Sequence, residues 1–234
     1  MLDDPGRVGF EYTDPSRLET RMAIYGRAAE AALDAVAEIH PARVLDVGAG
    51  TGAFAVRVAA ATGAAVTAVD SSAAMVAPAQ AAGLDAIEAD ARALPAPAAA
   101  FDCVVANWML YHVPDRDQAI AEAARVLRPE GRLVAATFSE RNLEELWHAL
   151  GDHTPRGHGF TAENGAPQLR RHFRWVEERR VTWRIAFSDR DGLRALVAAN
   201  IRRAHLSERV AHIDLPFTAA ARHTVFVAEG ARRQ

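Results

Sequence analysis

No lysine occurs in this chain. All 27 basic side chains are arginine, beside 52 alanines, a usage that looks like the coding bias of a GC-rich genome rather than a nucleic-acid signature. The formal net charge is −3, and no run of five or more like charges exists. A broad electrostatic grip on a phosphate backbone or an anionic lipid surface is therefore not expected. A single cysteine, Cys103, excludes an internal disulfide and a cysteine-built zinc site. Met1 to Phe10 carries Asp3, Asp4 and Pro5 but no apolar segment, so no signal peptide is expected. No apolar stretch approaches the roughly 20 residues that span a bilayer. These scarcities predict a soluble cytoplasmic protein, monomer or homodimer, with no nucleic-acid or membrane partner and no metal.

What is present suits a packed core. Half of the 234 residues are hydrophobic and 24% are charged, which fits one domain over residues 1–234. A first helix is predicted from Asp14-Pro15-Ser16, with Leu18, Met22, Tyr25, Ala29, Leu33 and Val36 at helical spacing, closed by Pro41. Short apolar strands follow at Arg43–Asp46, Ala65–Asp70, Leu84–Ala89, Phe101–Asn107 and Arg132–Phe138. Helices lie between them: one carrying Phe54 and Val58, one capped by Ser71 or Ser72, and one capped by Asp115 that ends at Pro129-Glu130-Gly131. That alternation predicts an α/β, Rossmann-like doubly wound sheet, seven-stranded and mostly parallel, with helices on both faces.

After Phe138 the pattern changes. Helices are expected at Asn142–Leu150, through Leu169 and Phe173, and through Leu193, Val197 and Ile201. A long strand places Val181, Trp183, Ile185 and Phe187 on one face, and Thr224–Ala228 reads as the last strand. These two strands extend the sheet, with room for one antiparallel member. The cofactor-binding core is expected over about residues 41–138, with residues 1–40 and 139–216 forming a cap over an acceptor pocket.

The chemistry concentrates in Val44-Leu45-Asp46-Val47-Gly48-Ala49-Gly50-Thr51-Gly52, an apolar strand followed by glycines at every second position. Glycine lets the chain turn sharply and approach a ligand closely. Gly48 and Gly50 fit a dinucleotide turn, with Ala53 at its third place, but that pattern alone is weak. The acids discriminate. Asp46, Asp70 and Asp90 each stand at or just beyond the carboxyl end of a predicted strand, so three carboxylates face one crevice. Such a crevice repels a pyrophosphate and suits a ligand with cationic groups, a ribose diol and an adenine amine. S-adenosylmethionine has all of these.

The segments Val44–Gly52, Val69–Met75, Glu88–Ala91, Phe101–Asn107, Leu110–Asp115 and Arg125–Arg132 resemble the successive motifs of class I S-adenosylmethionine-dependent methyltransferases, the methyltransferase type 11 group in particular. Glu130 stands where that group usually has glycine. The resemblance implies that Asp46 and the backbone of Gly48, Ala49 and Gly50 hold the methionine portion, with Gly52 permitting close approach at the helix start. It implies that Asp70 takes the ribose hydroxyls, with Ser71 and Met75 beside the adenine. Asp90 would accept from the adenine amine, Ala91 would offer its backbone N–H, and Asn107 would sit under the methyl donor. Met75 also reads as a core residue, and Asp90 as a turn former.

For a small-molecule acceptor, His112 and Tyr111 are the candidate catalytic residues, His112 as a base where the acceptor must lose a proton. An Asn-Trp-Met-Leu run at 107–110 and the absence of a cysteine there do not match DNA methyltransferases. His148, His153 and His158 fit no compact zinc spacing and read as loop residues. Trp147, Trp175 and Trp183 line an aromatic pocket or pack in the core, and Cys103 reads as core. Phe10 and Tyr12 mark the N-terminal segment either as a lid or as simple cover for the sheet. The alternative functions are an NAD(P)-dependent oxidoreductase and a non-catalytic S-adenosylmethionine-binding protein.

Overall fold

The computed structural model describes residues 24–154, 159–200 and 202–232. In chain order the elements are α1 (Gly26–Ala37), β1 (Arg43–Val47), α2 (Ala53–Thr62), β2 (Ala65–Asp70), α3 (Ala73–Ala81), β3 (Asp85–Glu88) and β4 (Phe101–Val105). A 3₁₀ turn (Leu110–His112), α4 (Arg116–Val126), β5 (Leu127–Phe138), α5 (Glu144–Ala149) and α6 (Gly165–Leu169) follow. The chain ends with β6 (Phe173–Phe187), α7 (Arg190–Ala198), a second 3₁₀ segment (Ala204–His212) and β7 (Phe217–Ala231). The start of the expected first helix, with Leu18, Met22 and the proposed lid residues Phe10 and Tyr12, lies outside the described residues.

The seven strands form one sheet in the order β3-β2-β1-β4-β5-β7-β6. Strands β1 to β5 pair in parallel, and β7 runs antiparallel to both β5 and β6, so it is the one reversed member. Side chains alternate between two apolar layers, as strand geometry requires. In β5, Leu133 and Ala135 join one core with Ile120 and Ala123 of α4. Val134 and Ala136 join the other, with Ala32, Ala35 and Val36 of α1 and Ala55 and Val58 of α2. Helices therefore cover both faces. Ile120 is fully buried, and burial of a side chain of that size is worth about 1.5–3 kcal/mol.

Three boundaries differ from the sequence reading, one of them that of β7, which begins at Phe217 and not at Thr224. The strand after α4 begins at Leu127, not Arg132. Leu127 pairs with Phe101, the next pairing joins Arg132 to Cys103, and the Pro129-Glu130-Gly131 turn forms the bulge between them. Phe173 begins β6 and does not belong to the preceding helix, which is one and a half turns long. Residues 139–216 build a third apolar core of their own, in which Leu146, Trp147, Leu193, Val197 and Val210 pack against Ala219 and Ala221 of β7.

Candidate active site

From β1 the chain steps outward to β2 and β3, then returns to place β4 on the other side of β1. That reversal leaves a crevice beyond the carboxyl ends of β1 and β4, the place where open α/β sheets bind ligands. A cavity of about 670 Å³ opens there. Asp46, Gly48, Ala49 and Gly50 line it from the first turn, Asp70 and Ser71 from the second, and Asp90 and Ala91 from the third. Asn107, Tyr111 and His112 reach it from the segment after β4. Tyr25, Ala29 and Glu30 of the α1 region and Phe54 and Arg57 of α2 complete the wall. No described residue of 139–216 lines this cavity.

Asp46 is the costliest residue in the site. It is 3% exposed, and burial, reinforced by the charge of Asp70, pushes its carboxyl up from 3.8 to about 8. Its Oδ2 atom has no hydrogen-bond partner. Across the switch point, Asn107 Oδ1 accepts the N–H of Ala136 at 3.0 Å, which fixes the amide, while its buried Nδ2 has no partner. Two residues that line one cavity thus carry, respectively, a buried unmet acceptor and a buried unmet donor. Each costs about 1–3 kcal/mol while unmet.

The glycine turn works differently from expectation. Gly48 and Ala49 N–H both donate to the carbonyl of Val69, at 2.7 and 3.1 Å, and Gly52 N–H donates to Ala49. Gly50 N–H donates to Asp70 Oδ2 at 2.8 Å. These amides are spent on the fold and are not available to a ligand. Gly48 has φ +69°, and a Cβ there would lie 2.6 Å from Met109 Cβ, so glycine lets the β4 corner close on the turn. At Gly52 (φ +79°) a Cβ would lie 2.4 Å from Leu84 Cδ1 and 3.0 Å from Ala79 Cβ. The close approach that Gly52 permits is therefore to α3 and the turn after it, and the residue does not line the cavity. Met75 is fully buried and does not line it either. Its place beside an adenine is corrected to a core position.

Asp70 holds the turn as well as facing the cavity. Its carboxylate accepts from Gly50 and, at 3.0 Å, from the N–H of Ser72. Burial raises its carboxyl, and the backbone N–H bonds pull it back down. Asp90 has a partner that was not anticipated. The Arg92 guanidinium meets both of its oxygens, at 2.6 to 3.0 Å, and that contact, opposed by partial burial, holds the carboxyl below its usual range. The Asp-x-Arg spacing was the available signal. Trp108, between Asn107 and Met109, also lines the cavity.

The remaining candidates resolve by burial. Trp147 is in the third core, Trp175 is 68% exposed on β6, and Trp183 stacks on His223 at 5.1 Å between ring centres. Cys103 is buried and its thiol is pushed far up by desolvation, consistent with a core residue. His148 and His153 have ring centres 4.6 Å apart, and His158 is outside the described residues. No group of three or more His, Cys, Asp or Glu that could hold a metal occurs among the described residues. No helix among them is long and apolar enough to cross a membrane.

The family model described as a methyltransferase domain matches residues 45–135, the stretch from β1 through β5 that builds the crevice. Residues 45–135 are a class I methyltransferase domain. The family uses S-adenosylmethionine as methyl donor. The chain is 39% identical over 123 residues to a malonyl-acyl-carrier-protein O-methyltransferase of Methylococcus capsulatus, a match covering 49% of this chain and 45% of that protein. It is 43% identical over 104 residues to the 27-O-demethylrifamycin SV methyltransferase of Amycolatopsis mediterranei, covering 41% and 38%. It is 40% identical over 114 residues to a demethylmenaquinone methyltransferase of Thermus thermophilus, covering 46% and 52%. The chain thus spans about half the length, or less, of the curated relatives it matches.

Likeness to solved structures extends further along the chain and shows the fold alone. An S-adenosylmethionine-dependent methyltransferase of Thermotoga maritima aligns with a TM-score of 0.58 at 18% identity, covering 92% of this chain and 95% of that one. The cyclase SpnF aligns at 0.56 and 24% identity, covering 86% and 80%. The fold is therefore shared with proteins whose printed chemistries differ, and the acceptor has to be argued from the cavity.

Proposed function

We propose that this protein transfers a methyl group from S-adenosylmethionine to a small-molecule acceptor at oxygen, nitrogen or carbon. The observation that carries the reading is that Asp46 and Asn107, which both line the cavity, carry buried unmet atoms, Oδ2 and Nδ2. An unmet acceptor and an unmet donor on residues of one cavity suit an amino-acid end group, whose ammonium donates and whose carboxylate accepts. The methionine portion of the cofactor supplies both. A pyrophosphate needs backbone donors, and the amides of Gly48, Ala49, Gly50 and Gly52 that a dinucleotide turn would offer are already bonded within the protein. This argues against the NAD(P) oxidoreductase reading.

When bound, the cofactor supplies a methyl group on a sulfonium centre, already activated for displacement. The chain's own work is placement. Asp46 and Asn107 would hold the amino-acid end, and Asp70, fixed by Gly50 and Ser72, would take the ribose hydroxyls. Ala91 N–H and Asp90 would meet the adenine, with Arg92 keeping that carboxylate ionised. Holding two reactants in line accounts for up to ~7–11 kcal/mol of a barrier in well-oriented cases. His112 and Tyr111, adjacent on the 3₁₀ turn with ring centres 4.2 Å apart, would take a proton from the acceptor where one must be lost. Of the expected cap, Tyr25, Ala29 and Glu30 of the α1 region line the cavity and are proposed to wall the acceptor side. Secondary metabolism in the cytoplasm, with neither nucleic acid nor membrane as partner, is the setting this reading assumes.

Titration of the purified protein with S-adenosylhomocysteine and, separately, with NADH by calorimetry tests the cofactor. Transfer of a labelled methyl group to a metabolite extract then tests catalysis. Heat on NADH addition with none on S-adenosylhomocysteine overturns the proposal, and cofactor binding without transfer to any metabolite leaves a non-catalytic binder.

A further inference from the structure

Trp108 follows Asn107 and has φ +53°, a left-handed conformation that a bulky side chain rarely adopts. Such an outlier persists only where its surroundings over-determine it. Three contacts do so. Its backbone N–H donates to the carbonyl of Ala136 at 2.7 Å. Its indole lies flat on Tyr25, with ring centres 4.5 Å apart and planes within 5°. Its Nε1–H donates to His223 Nδ1 at 3.1 Å. Indole nitrogen only donates, so this bond requires Nδ1 to be the unprotonated nitrogen of the imidazole.

His223 is 2% exposed and lies on β7, opposite Phe138 of β5 and Val181 of β6. It is 115 residues from Trp108 in sequence and does not line the cavity. It nevertheless reaches the β4 corner whose first residue carries the unmet Nδ2. Asn107 and Trp108 share one peptide unit and are tied to the same residue of β5, Ala136, through its N–H and its carbonyl. The indole and the Asn107 amide thus hang from one short stretch of backbone pinned to one residue of β5.

We propose that His223 is a positioning residue for cofactor binding: through its bond to the Trp108 indole it holds the strained corner that aims Asn107 Nδ2 into the cavity. The inference rests on the proposed use of S-adenosylmethionine. It predicts that the hydrogen-bond acceptor at position 223 matters for ligand affinity, while the ring matters for packing. Phe138, Tyr25 and Trp183 surround that ring, each with its centre 5.1 to 5.9 Å away.

The test sets His223→Asn, which keeps an acceptor at the Nδ1 position but loses the ring, against His223→Phe, which keeps a ring but loses the acceptor. S-adenosylhomocysteine affinity is measured by calorimetry and Tm by thermal melting. The expected result is a crossed order. His223→Phe melts at or above His223→Asn but binds roughly fivefold to tenfold more weakly than wild type, the effect of one lost hydrogen bond. His223→Asn stays within about twofold of wild type. Trp108→Phe, which keeps the stacked ring and removes the donor, weakens binding to the same extent. In the His223→Phe background it adds nothing further, the signature of a shared interaction.

Affinities that follow Tm in rank, or additive losses in the double variant, overturn the positioning role and leave His223 as packing. Should His223→Asn fail to fold, the Trp108→Phe cycle alone decides between the same outcomes. Wild-type protein that binds no S-adenosylhomocysteine refutes the cofactor reading instead.

Discussion

A carboxyl held at about 8 in a cavity proposed to receive an ammonium makes cofactor binding a proton-release reaction. Below pH 8 the free protein carries the proton on Asp46, because burial disfavours the charged form. An ammonium pairs with the carboxylate and not with the acid, so binding must expel that proton. Affinity then falls by up to tenfold for each pH unit below 8. Because half of the group is already protonated at pH 8, the loss between pH 8 and pH 6 is roughly 50-fold, or about 2.3 kcal/mol. Calorimetry with S-adenosylhomocysteine at pH 7, in buffers of different ionisation enthalpy, should report close to one proton released per ligand bound.

The same shift has a consequence for the free fold. The unfolded chain has Asp46 at its ordinary 3.8, so between about pH 4 and 8 the folded state binds one more proton than the unfolded state. Stability from this group is therefore greatest at low pH and falls as pH rises through that window. At pH 7 the accumulated cost is up to roughly 4 kcal/mol, which Asp46→Asn removes. The variant should melt higher than wild type at pH 7 to 8, bind S-adenosylhomocysteine at least tenfold more weakly, and lose the pH dependence of whatever binding remains. Binding without proton release, a dissociation constant flat between pH 6 and 8, or an Asp46→Asn protein less stable than wild type would each refute the reasoning.

Asp70→Ala removes acceptors from Gly50 and Ser72 as well as from a ribose. It should lower stability by about 1–3 kcal/mol in denaturant titrations, besides weakening S-adenosylhomocysteine binding by on the order of 2 kcal/mol. An unchanged midpoint would deny it the structural share. Gly48→Ala brings a Cβ to 2.6 Å from Met109 and strains a φ of +69°. Adding Met109→Ala removes the Cγ at 2.8 Å but keeps the Cβ, so it should recover only a small part of the lost Tm and leave both the Cβ contact and the conformational strain. Arg92→Ala breaks a pair in which both side chains are nearly half exposed, so Tm should change little, while the midpoint of Asp90 titration followed by NMR should rise toward an ordinary carboxylate. His112→Gln should lower turnover by 10²–10⁴-fold with the S-adenosylhomocysteine dissociation constant unchanged; equal loss of both would assign it to binding.

The parallel half of the sheet is legible because buried strands leave a simple trace. Val44-Leu45, Ala65–Val69 and Phe101–Val105 are short apolar runs bounded by turn residues, and each forms a strand within two residues of the expected limits. β7 was harder. Its first half, Phe217 to Arg222, is alanine-rich and carries no strand alternation, so only Thr224–Ala228 stood out from a 15-residue element. Pairing with β6 along its whole length, supplied from elsewhere in the chain, extends it. The site divides in the same way. The acids at the strand ends were visible because their position follows from local pattern. The loss of the glycine-turn amides was not, since their acceptors, Val69 O and Asp70 Oδ2, lie on a neighbouring strand.

That last pair of contacts explains why acids rather than amides form the recognition surface here. A glycine turn that folds back to bond β2 becomes rigid, but its N–H groups then contribute to the fold and cannot also bind an anion. What the crevice retains is side-chain oxygen: Asp46 at β1, Asp70 at β2 and Asp90 after β3. Two of these carboxyls, Asp46 and Asp70, are pushed upward by burial. The site is thus held in an unfavourable electrostatic state that a cationic ligand relieves, and the charge of Asp70 helps keep Asp46 protonated until that ligand arrives. The coupling runs one way, because Asp46 is still a neutral acid while Asp70 titrates. In Asp46→Asn, cofactor affinity falls because the ammonium loses its counter-charge, while the Asp70 carboxyl, raised by burial, should keep its wild-type midpoint. Carboxyl-carbon NMR of the Asp46→Asn protein checks this, and an Asp70 midpoint that moves down toward its ordinary value would show that Asp46 is already charged when Asp70 titrates.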